Sequence, residues 1–165
     1  MKSKTLATWL TFLLGPLGAH RFYLMGLQDT LAWFMPIPTA LGVWGFERVK
    51  NYGLDDTLSW FLLPIFGLHL AACCLQAIVY GLSKPEVWNA KFNPQADAKD
   101  IAGRSNWFTV FAIILSLLVG TAALMSAIAY STQRYFEYEL ENQTKVSALD
   151  VLPNALAKDS QLTSR

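Results

Sequence analysis

Two long runs of this chain contain no charged residue, and they restrict the folds that it can adopt. Leu58 to Leu82 and Trp107 to Tyr130 span 25 and 24 residues without Asp, Glu, Lys or Arg. A helix of about 20 residues crosses the ~30 Å hydrocarbon layer of a bilayer, so each run is long enough to span one. A soluble bundle helix would carry a polar face at 3.6-residue spacing, and neither run does. The sequence therefore predicts an all-helical integral membrane protein.

Two shorter apolar segments precede these runs. Thr5 to Ala19 and Thr30 to Phe46 contain no charge, but at ~1.5 Å per residue each covers only ~22–26 Å of helix. We expect them to form a short N-terminal helical hairpin, as the first and second of four spans. Trp and Tyr favour the membrane interface, where the ring is buried and its polar group stays hydrated. Such residues bracket the four segments: Trp9, Tyr23, Trp33, Trp44, Trp60, Tyr80, Trp107 and Tyr130.

The composition agrees with a membrane protein and excludes several other classes. The chain is 53% hydrophobic and 15% charged, with a mean hydropathy of +0.31, whereas about a quarter of the residues of a soluble domain are charged. The formal net charge is +1 and no long block of one sign occurs, so nucleic acid is not an expected partner. The two cysteines, Cys73 and Cys74, are adjacent and form neither a disulfide framework nor a CxxC zinc site.

The chain divides at its charged and polar stretches. The predicted parts are a membrane hairpin at 1–50, a third span with an amphipathic loop at 51–106, a fourth span with an extramembrane helical extension at 107–152, and a disordered tail at 153–165. The apolar start follows two lysines, as in a signal peptide, but no A-x-A-like cleavage pattern comes after it. We expect this segment to be retained, and the last helix to end at Pro153.

The loop after the third span carries a helix signal. Ser83 to Glu86 has the S-x-x-E form of a capping box, which predicts a short helix starting there. Trp88 and Phe92 share one face of that helix. Either this face rests on the membrane surface, or the helix belongs to an ordinary surface loop with the two aromatic side chains tucked under it. Beyond the fourth span, Glu141 and Lys145 stand at the favoured i, i+4 spacing for an ion pair on an exposed helix.

Between the first two segments, the stretch GPLGAHRFYL places His20 and Arg21 at a predicted turn. An unpaired arginine at mid-bilayer costs at least ~2.5–3.5 kcal/mol, so Arg21 is expected at the membrane edge. With the first helix ending near Gly18, both basic side chains face the unpaired carbonyls of its last turn. Phe22 and Tyr23 then anchor the turn in the interface, and three glycines allow the helices to approach closely. These glycines are Gly15, Gly18 and Gly26.

The same residues resemble those of a known family. The GxxGxHRFYL pattern, a lysine-bearing start and a second short apolar segment are similar to the two-transmembrane "TM-two" domain, which carries an Asp/His-Arg-Phe-Tyr motif between its two helices. The resemblance covers residues 2–50 and implies a small bacterial membrane module with no established enzymatic mechanism. Two features depart from the family pattern: Met25 precedes Gly26, and Pro36 and Pro38 lie in the second helix. The expected interaction motif comprises Gly15, Gly18, His20, Arg21, Phe22, Tyr23 and Gly26.

Polar residues in the third span are the remaining candidates for chemistry. His69, Cys73 and Gln76 lie at i, i+4 and i+7, hence on one helical face, and polar groups at membrane depth are candidates for function. A metal or haem site would use His69 with Cys73 or with His20, whereas the alternative is a hydrogen bond between helices. No span contains an acidic residue that completes a metal site. The sequence predicts no catalytic site, no metal and no cofactor.

The fourth span carries a pattern of small residues. Ala112, Ser116 and Gly120 repeat every four residues, a ladder that lets a second helix pack closely. Self-association through this ladder and packing against the other spans both explain it at this stage.

These observations favour a non-enzymatic integral membrane protein that acts as an interaction or structural module through its His-Arg-Phe-Tyr turn. Its expected partners are the lipid bilayer, other membrane proteins and a second copy of itself. The alternative is a small transporter or a metal- or haem-binding subunit that uses the His69 face.

Four spans place six basic residues on the side of the termini and five on the other. Lys2 and Lys4 favour cytoplasmic termini, in a bacterial inner membrane.

Overall fold

The computed structural model describes residues 1–54, 56–95 and 101–162, and these form helices, turns and loops without a strand. Two compact units divide the chain, Met1–Ile128 and the residues from Ala129 onward. The helices are α1 (Lys4–Leu14), α2 (Ala19–Met25), α3 (Thr30–Phe34), α4 (Pro36–Tyr52), α5 (Ser59–Leu82), α6 (Pro85–Phe92) and α7 (Trp107–Leu162), with short 3-10 turns at Gly15–Leu17 and Ile101–Gly103.

The segment predicted as the first span folds into two short antiparallel helices, α1 and α2, which we call the N-terminal hairpin. α1 ends at Leu14, a 3-10 turn follows, and Gly18 takes the left-handed conformation with φ 77° and ψ 6°. This reversal sends α2 back alongside α1, so that the Ser3 amide donates a 2.9 Å hydrogen bond to the Tyr23 hydroxyl. An 11-residue helix such as α1 is only ~16 Å long, about half a bilayer. Arg21, Phe22 and Tyr23, expected beyond the far end of the first helix, are therefore carried back towards the N-terminus, because the chain reverses at Gly18.

The second predicted span is α3 followed by α4. Met35 joins them with helical angles, φ −59° and ψ −36°, and its amide bonds to the Leu31 carbonyl. The backbone therefore stays helical from Thr30 to Tyr52. Pro36 stands at the first position of α4, where a missing amide hydrogen matters least. α4 packs closely on α5, since a Cβ added to Gly45 would lie 2.7 Å from the Cβ of Leu62.

Among the residues that the structure describes, three helical segments, and not four, run between the two ends of the Met1–Ile128 unit. At one end, the Lys4 ammonium donates to the Ser83 carbonyl, just past the end of α5, at 2.8 Å. At the other end, the Ser59 hydroxyl, at the start of α5, donates to the Gly45 carbonyl of α4 at 3.4 Å. α3 with α4, α5 and the first part of α7 each connect these ends, whereas α1 and α2 both turn back.

Glycines on α5 and α7 bring these two helices into close contact. A Cβ on Gly120 would lie 2.7 Å from the Cβ of Cys74, and a Cβ on Gly67 would lie 2.8 Å from that of Ala127. Ala112 and Ser116 are fully buried in the same unit. The ladder of Ala112, Ser116 and Gly120 therefore packs within the chain, which favours the second of the two explanations given above.

We expect Gly120→Leu to lower the thermal unfolding midpoint of the detergent-solubilised protein, because the added side chain overlaps Cys74. Overpacking of this kind costs about 1–3 kcal/mol. Reaction of the buried Cys73 and Cys74 thiols with a fluorogenic maleimide during heating measures the midpoint. Ala122→Leu, at an exposed position on the same helix, is the control and should change little. An unchanged midpoint combined with a lost dimer would place the ladder between two copies instead.

Two helices are long and apolar enough to cross a membrane by length and composition. They are α5 and residues Trp107–Ser147 of α7. In each, only 22% of the most apolar 18-residue window is buried inside the protein. Their outward surface is therefore mostly apolar side chains without protein cover.

The loop helix α6 packs against protein. Its first residue is Pro85, and no side chain caps it; the Ser83 hydroxyl donates instead to the Tyr80 carbonyl at 2.7 Å. The predicted capping box is therefore wrong, although the helix is present. Trp88 is 1% exposed, with its ring centroid 4.5 Å from that of Phe92. The aromatic face of α6 is therefore covered by protein, which agrees with the second of the two predicted placements, under the loop helix.

The second unit is the C-terminal part of α7. The Lys145 ammonium bonds to Glu141 at 2.7 Å, as its i, i+4 spacing predicts, and Arg134 pairs with Glu137 at 2.8 Å. The helix continues through Pro153 to Leu162. The predicted end at Pro153 is therefore wrong, because the backbone stays helical across the proline, whereas the disorder predicted for this tail stays a prediction. Residues 163–165 of that tail lie outside the described residues.

Candidate functional site

Arg21 lies on α2, directly before the turn that leads into α3, and it binds a carboxylate. Its Nε donates to Asp29 Oδ2 at 2.6 Å and its Nη2 to Asp29 Oδ1 at 3.3 Å. The two side chains are 14% and 13% exposed. The hydrogen bond from Arg21 is the main cause that lowers the pKa of Asp29 below its usual range. The expected contact with the carbonyls of the first helix is wrong, because the reversal at Gly18 carries Arg21 away from them.

The turn between α2 and α3, which we call the first elbow (residues 21–33), is closed by local contacts. Gly26 ends α2 with φ 86° and ψ −179°, and its amide bonds to the Phe22 carbonyl at 2.9 Å. These angles lie in a region that is essentially restricted to glycine. The Trp33 indole donates to the Leu27 carbonyl at 3.1 Å, and its ring packs edge-on against Phe22. The elbow is thus a compact structure in its own right.

His20 points into the protein. It is fully buried, with its ring centroid 6.2 Å from that of Tyr80. Neither ring nitrogen has a hydrogen-bond partner among the residues that the structure describes. The expectation that His20 faces the end of the first helix is therefore wrong. The reason is that the reversal at Gly18 turns α2 back alongside α1, and His20 lies against Tyr80 of α5.

The other motif residues take part in the same packing. Tyr23 accepts the hydrogen bond from Ser3, and a Cβ on Gly15 would lie 3.0 Å from the Cβ of Cys73. A Cβ on Gly18 would lie 2.5 Å from the carbonyl oxygen of Ala32. The structure therefore brings the predicted motif residues together in and around the hairpin.

The polar face of α5 forms hydrogen bonds within the chain. His69 Nε2 lies 3.5 Å from the Pro16 carbonyl oxygen and 3.9 Å from Cys73 Sγ. The Gln76 amide donates to the Tyr80 hydroxyl at 2.7 Å. Within the described residues, no group of three or more His, Cys, Asp and Glu side chains is placed to hold a metal ion. The contacts seen are those of the hydrogen-bonding alternative.

The start of the chain is held by residues that the sequence analysis did not single out. The Lys2 carbonyl accepts from Trp88 Nε1 and from Asn93 Nδ2, both at 3.0 Å, and the Lys2 amide donates to Asn93 Oδ1 at 2.6 Å. Lys4 is fully buried, with its ammonium on the Ser83 carbonyl. A cation at this position faces the negative end of α5. No local pattern predicts such contacts, because their partners lie about 80 to 90 residues apart.

Comparison with known proteins finds no matching family model, no matching curated protein and no matching solved structure. Three features of the chain itself bear on its function: the uncovered apolar helices, the buried His20 and the paired Arg21.

Proposed function

We propose that this chain is an integral membrane protein that acts by contact, as a structural or interaction module, and not as an enzyme. The observation that carries the proposal is the uncovered apolar surface of α5 and α7. Leu75 and Val79 on α5, and Leu117 and Leu118 on α7, are all more than half exposed. Large exposed apolar surfaces mark contact with a membrane or with other proteins. A bilayer covers them on helices of this length.

The His-Arg-Phe-Tyr motif has a bracing role in this proposal. His20 is buried and Arg21 is occupied by Asp29, so neither side chain is free to bind a partner. The motif holds the hairpin and the first elbow in shape, and the residues around it are those that resemble the TM-two domain. Partners then bind through the outward apolar helix faces, within a bacterial cytoplasmic membrane.

The proposal predicts that the full-length protein stays with the membrane pellet after an alkaline carbonate wash and is released only by detergent. Apolar helices that cross the bilayer are not displaced by charge or pH. Leu117→Arg, which places a charge on the outward face of α7, should reduce the membrane-bound fraction, because a mid-bilayer arginine is costly. Gln133→Arg, on the exposed second unit, is the matched control. Release of the unaltered protein by carbonate alone would refute the proposal.

A further inference from the structure

A stretch of this sequence occurs twice. Residues 15–34, GPLGAHRFYLMGLQDTLAWF, and residues 42–61, GVWGFERVKNYGLDDTLSWF, align without a gap at an offset of 27. Half of the aligned positions are identical, and they include both glycines before the arginine, the arginine itself, and the GLxDTLxWF that follows. The identical pairs are Gly15 and Gly42, Gly18 and Gly45, Arg21 and Arg48, Gly26 and Gly53, Leu27 and Leu54, Asp29 and Asp56, Thr30 and Thr57, Leu31 and Leu58, Trp33 and Trp60, and Phe34 and Phe61.

The second copy builds the same ion pair. Arg48 Nε donates to Asp56 Oδ2 at 2.8 Å and its Nη2 to Asp56 Oδ1 at 2.7 Å. In the first copy, the same atoms of Arg21 bind the same atoms of Asp29. Each pair joins residues eight apart in sequence, across the turn between two helices. We call residues 48–60 the second elbow.

The backbone of the two elbows is also the same. Gly53 has φ 84° and ψ −177°, against 86° and −179° for Gly26, and each glycine amide bonds at 2.9 Å to the carbonyl four residues before it. The Trp60 indole donates to the Leu54 carbonyl at 3.4 Å, as Trp33 does to Leu27. The identical arginine, aspartate, glycine and tryptophan positions therefore form the same contacts in both elbows. Asp56 accepts two more hydrogen bonds, from the amide and the hydroxyl of Ser59, where the first copy has Ala32.

The copies differ in the helix that leads into each elbow. In the first copy, the helix is interrupted at Gly18, and α2 folds back on α1. In the second copy, the equivalent Gly45 lies inside the continuous α4. The repeated unit is thus one helix and one elbow. Its copies run in opposite directions, since α2 leads back to the end that holds the N-terminus and α4 leads to the opposite end.

The distance between the elbows matches a bilayer. The backbone is helical from Thr30, in the first elbow, to Tyr52, in the second. At ~1.5 Å per residue, this helix is about 34 Å long, close to the ~30 Å of the hydrocarbon layer.

We infer that the two elbows are paired interfacial anchors, one in each leaflet, and that the lipid headgroup region is what surrounds them. This inference rests on the proposed membrane location. Each arginine is paired with its aspartate, and the sequence of each elbow has as many acidic as basic residues, so an elbow brings no formal net charge into a partly dehydrated layer. Each also offers apolar and aromatic side chains to that layer: Leu27 is 74% exposed and Trp33 64%, and in the second elbow Tyr52 is 69% and Leu54 54% exposed. Such residues settle at membrane interfaces.

Basic residues give the orientation. Among the described residues of the Met1–Ile128 unit, six basic residues belong to the end that holds the N-terminus and two, Arg48 and Lys50, to the opposite end; the six are Lys2, Lys4, Arg21, Lys84, Lys91 and Arg104. Arg134 and Lys145 belong to the second unit. Cytoplasmic segments near a membrane carry an excess of Lys and Arg. The first elbow therefore faces the cytoplasm together with the N-terminus, and the second faces the other side. The prediction of four spans gives six basic residues on one side and five on the other, a difference of one. The difference is small because that prediction assigns Arg21 and the loop after α5 to the side opposite the N-terminus.

Cysteine labelling tests the inference with the equivalent variants Leu27→Cys and Leu54→Cys, made in full-length protein carrying Cys73→Ala and Cys74→Ala. Intact cells receive a membrane-impermeant maleimide, and solubilised, denatured samples give the total. We expect Leu54→Cys to be labelled in intact cells at least tenfold more than Leu27→Cys. Gln28→Cys and Asn51→Cys, at exposed polar positions within the first and second elbows, should repeat the result. The cysteine-free parent gives the background.

Equal labelling of the two elbows in intact cells would overturn the inference, and so would the reverse preference, which contradicts the orientation. A carbonate wash of the same cells keeps this failure separate from failure of the proposed function. Protein that stays in the pellet with both elbows on one side is a membrane protein without opposed anchors, whereas protein released by the wash is not integral to the membrane.

Discussion

Replacement of Gly18 by alanine is expected to unfold the N-terminal hairpin. Two costs combine: alanine disfavours the left-handed conformation by about 1–2 kcal/mol, and its Cβ would lie 2.5 Å from the Ala32 carbonyl oxygen, which is backbone and has little freedom to move. Overpacking adds about 1–3 kcal/mol, for a total of about 2–5 kcal/mol. The thermal midpoint in detergent, measured by maleimide reaction of the buried Cys73 and Cys74, should fall clearly.

Gly26→Ala separates the two costs. Gly26 also has a positive φ, but an added Cβ would meet nothing within 4 Å, so only backbone strain is introduced. Ala40→Val, at an exposed position of α4, controls for a general effect of substitution. We expect the midpoint to fall for both glycine variants, with accessibility of the Cys73 thiol rising at low temperature only in Gly18→Ala, since Cys73 packs against the hairpin. A Gly18→Ala protein with an unaltered midpoint would show that the chain does not reverse there.

The second large effect concerns the arginine–aspartate pairs. Arg21→Ala should lower the midpoint more than Arg21→Lys, because a guanidinium presents two parallel N–H groups to a carboxylate and an ammonium does not. Asp29→Asn should resemble Arg21→Ala, and the exchanged pair Arg21→Asp with Asp29→Arg should recover part of the loss. Arg48 and Asp56 should give the same ranking, since their geometry is the same.

A pH series checks the same pairs. The hydrogen bonds from Arg21 and Arg48 hold the pKa values of Asp29 and Asp56 below their usual range. A lowered pKa in the folded state means that these carboxylates contribute stability above the ordinary Asp pKa of about 3.9, and that this stability is lost as the pH falls further. The midpoint of the doubly substituted Asp29→Asn, Asp56→Asn protein should therefore depend less on pH below about 5. Parallel curves for the two proteins would mean that the pairs do not stabilise the fold.

The long helices could be predicted from the sequence because run length alone determines them. Leu58 to Leu82 has no charge, and α5 occupies Ser59–Leu82. The hairpin could not be predicted, because glycine permits a left-handed turn without requiring it. Gly18 and Gly45 occupy equivalent places in the repeat, yet one reverses the chain and the other lies within a helix. Neighbouring residues differ at this point, with Pro16 in the first copy where Val43 stands in the second.

The candidate site was predicted in part. The residues of the GPLGAHRFYL motif do come together, but the partner of Arg21 was missed. A comparison of the sequence with itself would have found it: the offset of 27 aligns Arg21 with Arg48 and Asp29 with Asp56, and a carboxylate that recurs at a constant distance from an arginine in a turn indicates a pair. The burial of His20 depends on packing against α5, which no local pattern contains.

The short sequence distance within each ion pair has a consequence for the assembly of the protein during its synthesis. In the proposed orientation, the N-terminal hairpin enters the bilayer from the cytoplasmic side, and both of its ends stay on that side. The second elbow is therefore the first polar segment that has to cross the membrane. Arg48 and Asp56 lie only eight residues apart, so they can meet as soon as both have left the ribosome. The two charges then pass the hydrocarbon layer as a neutral pair, which lowers the cost of ~2.5–3.5 kcal/mol that a lone arginine carries.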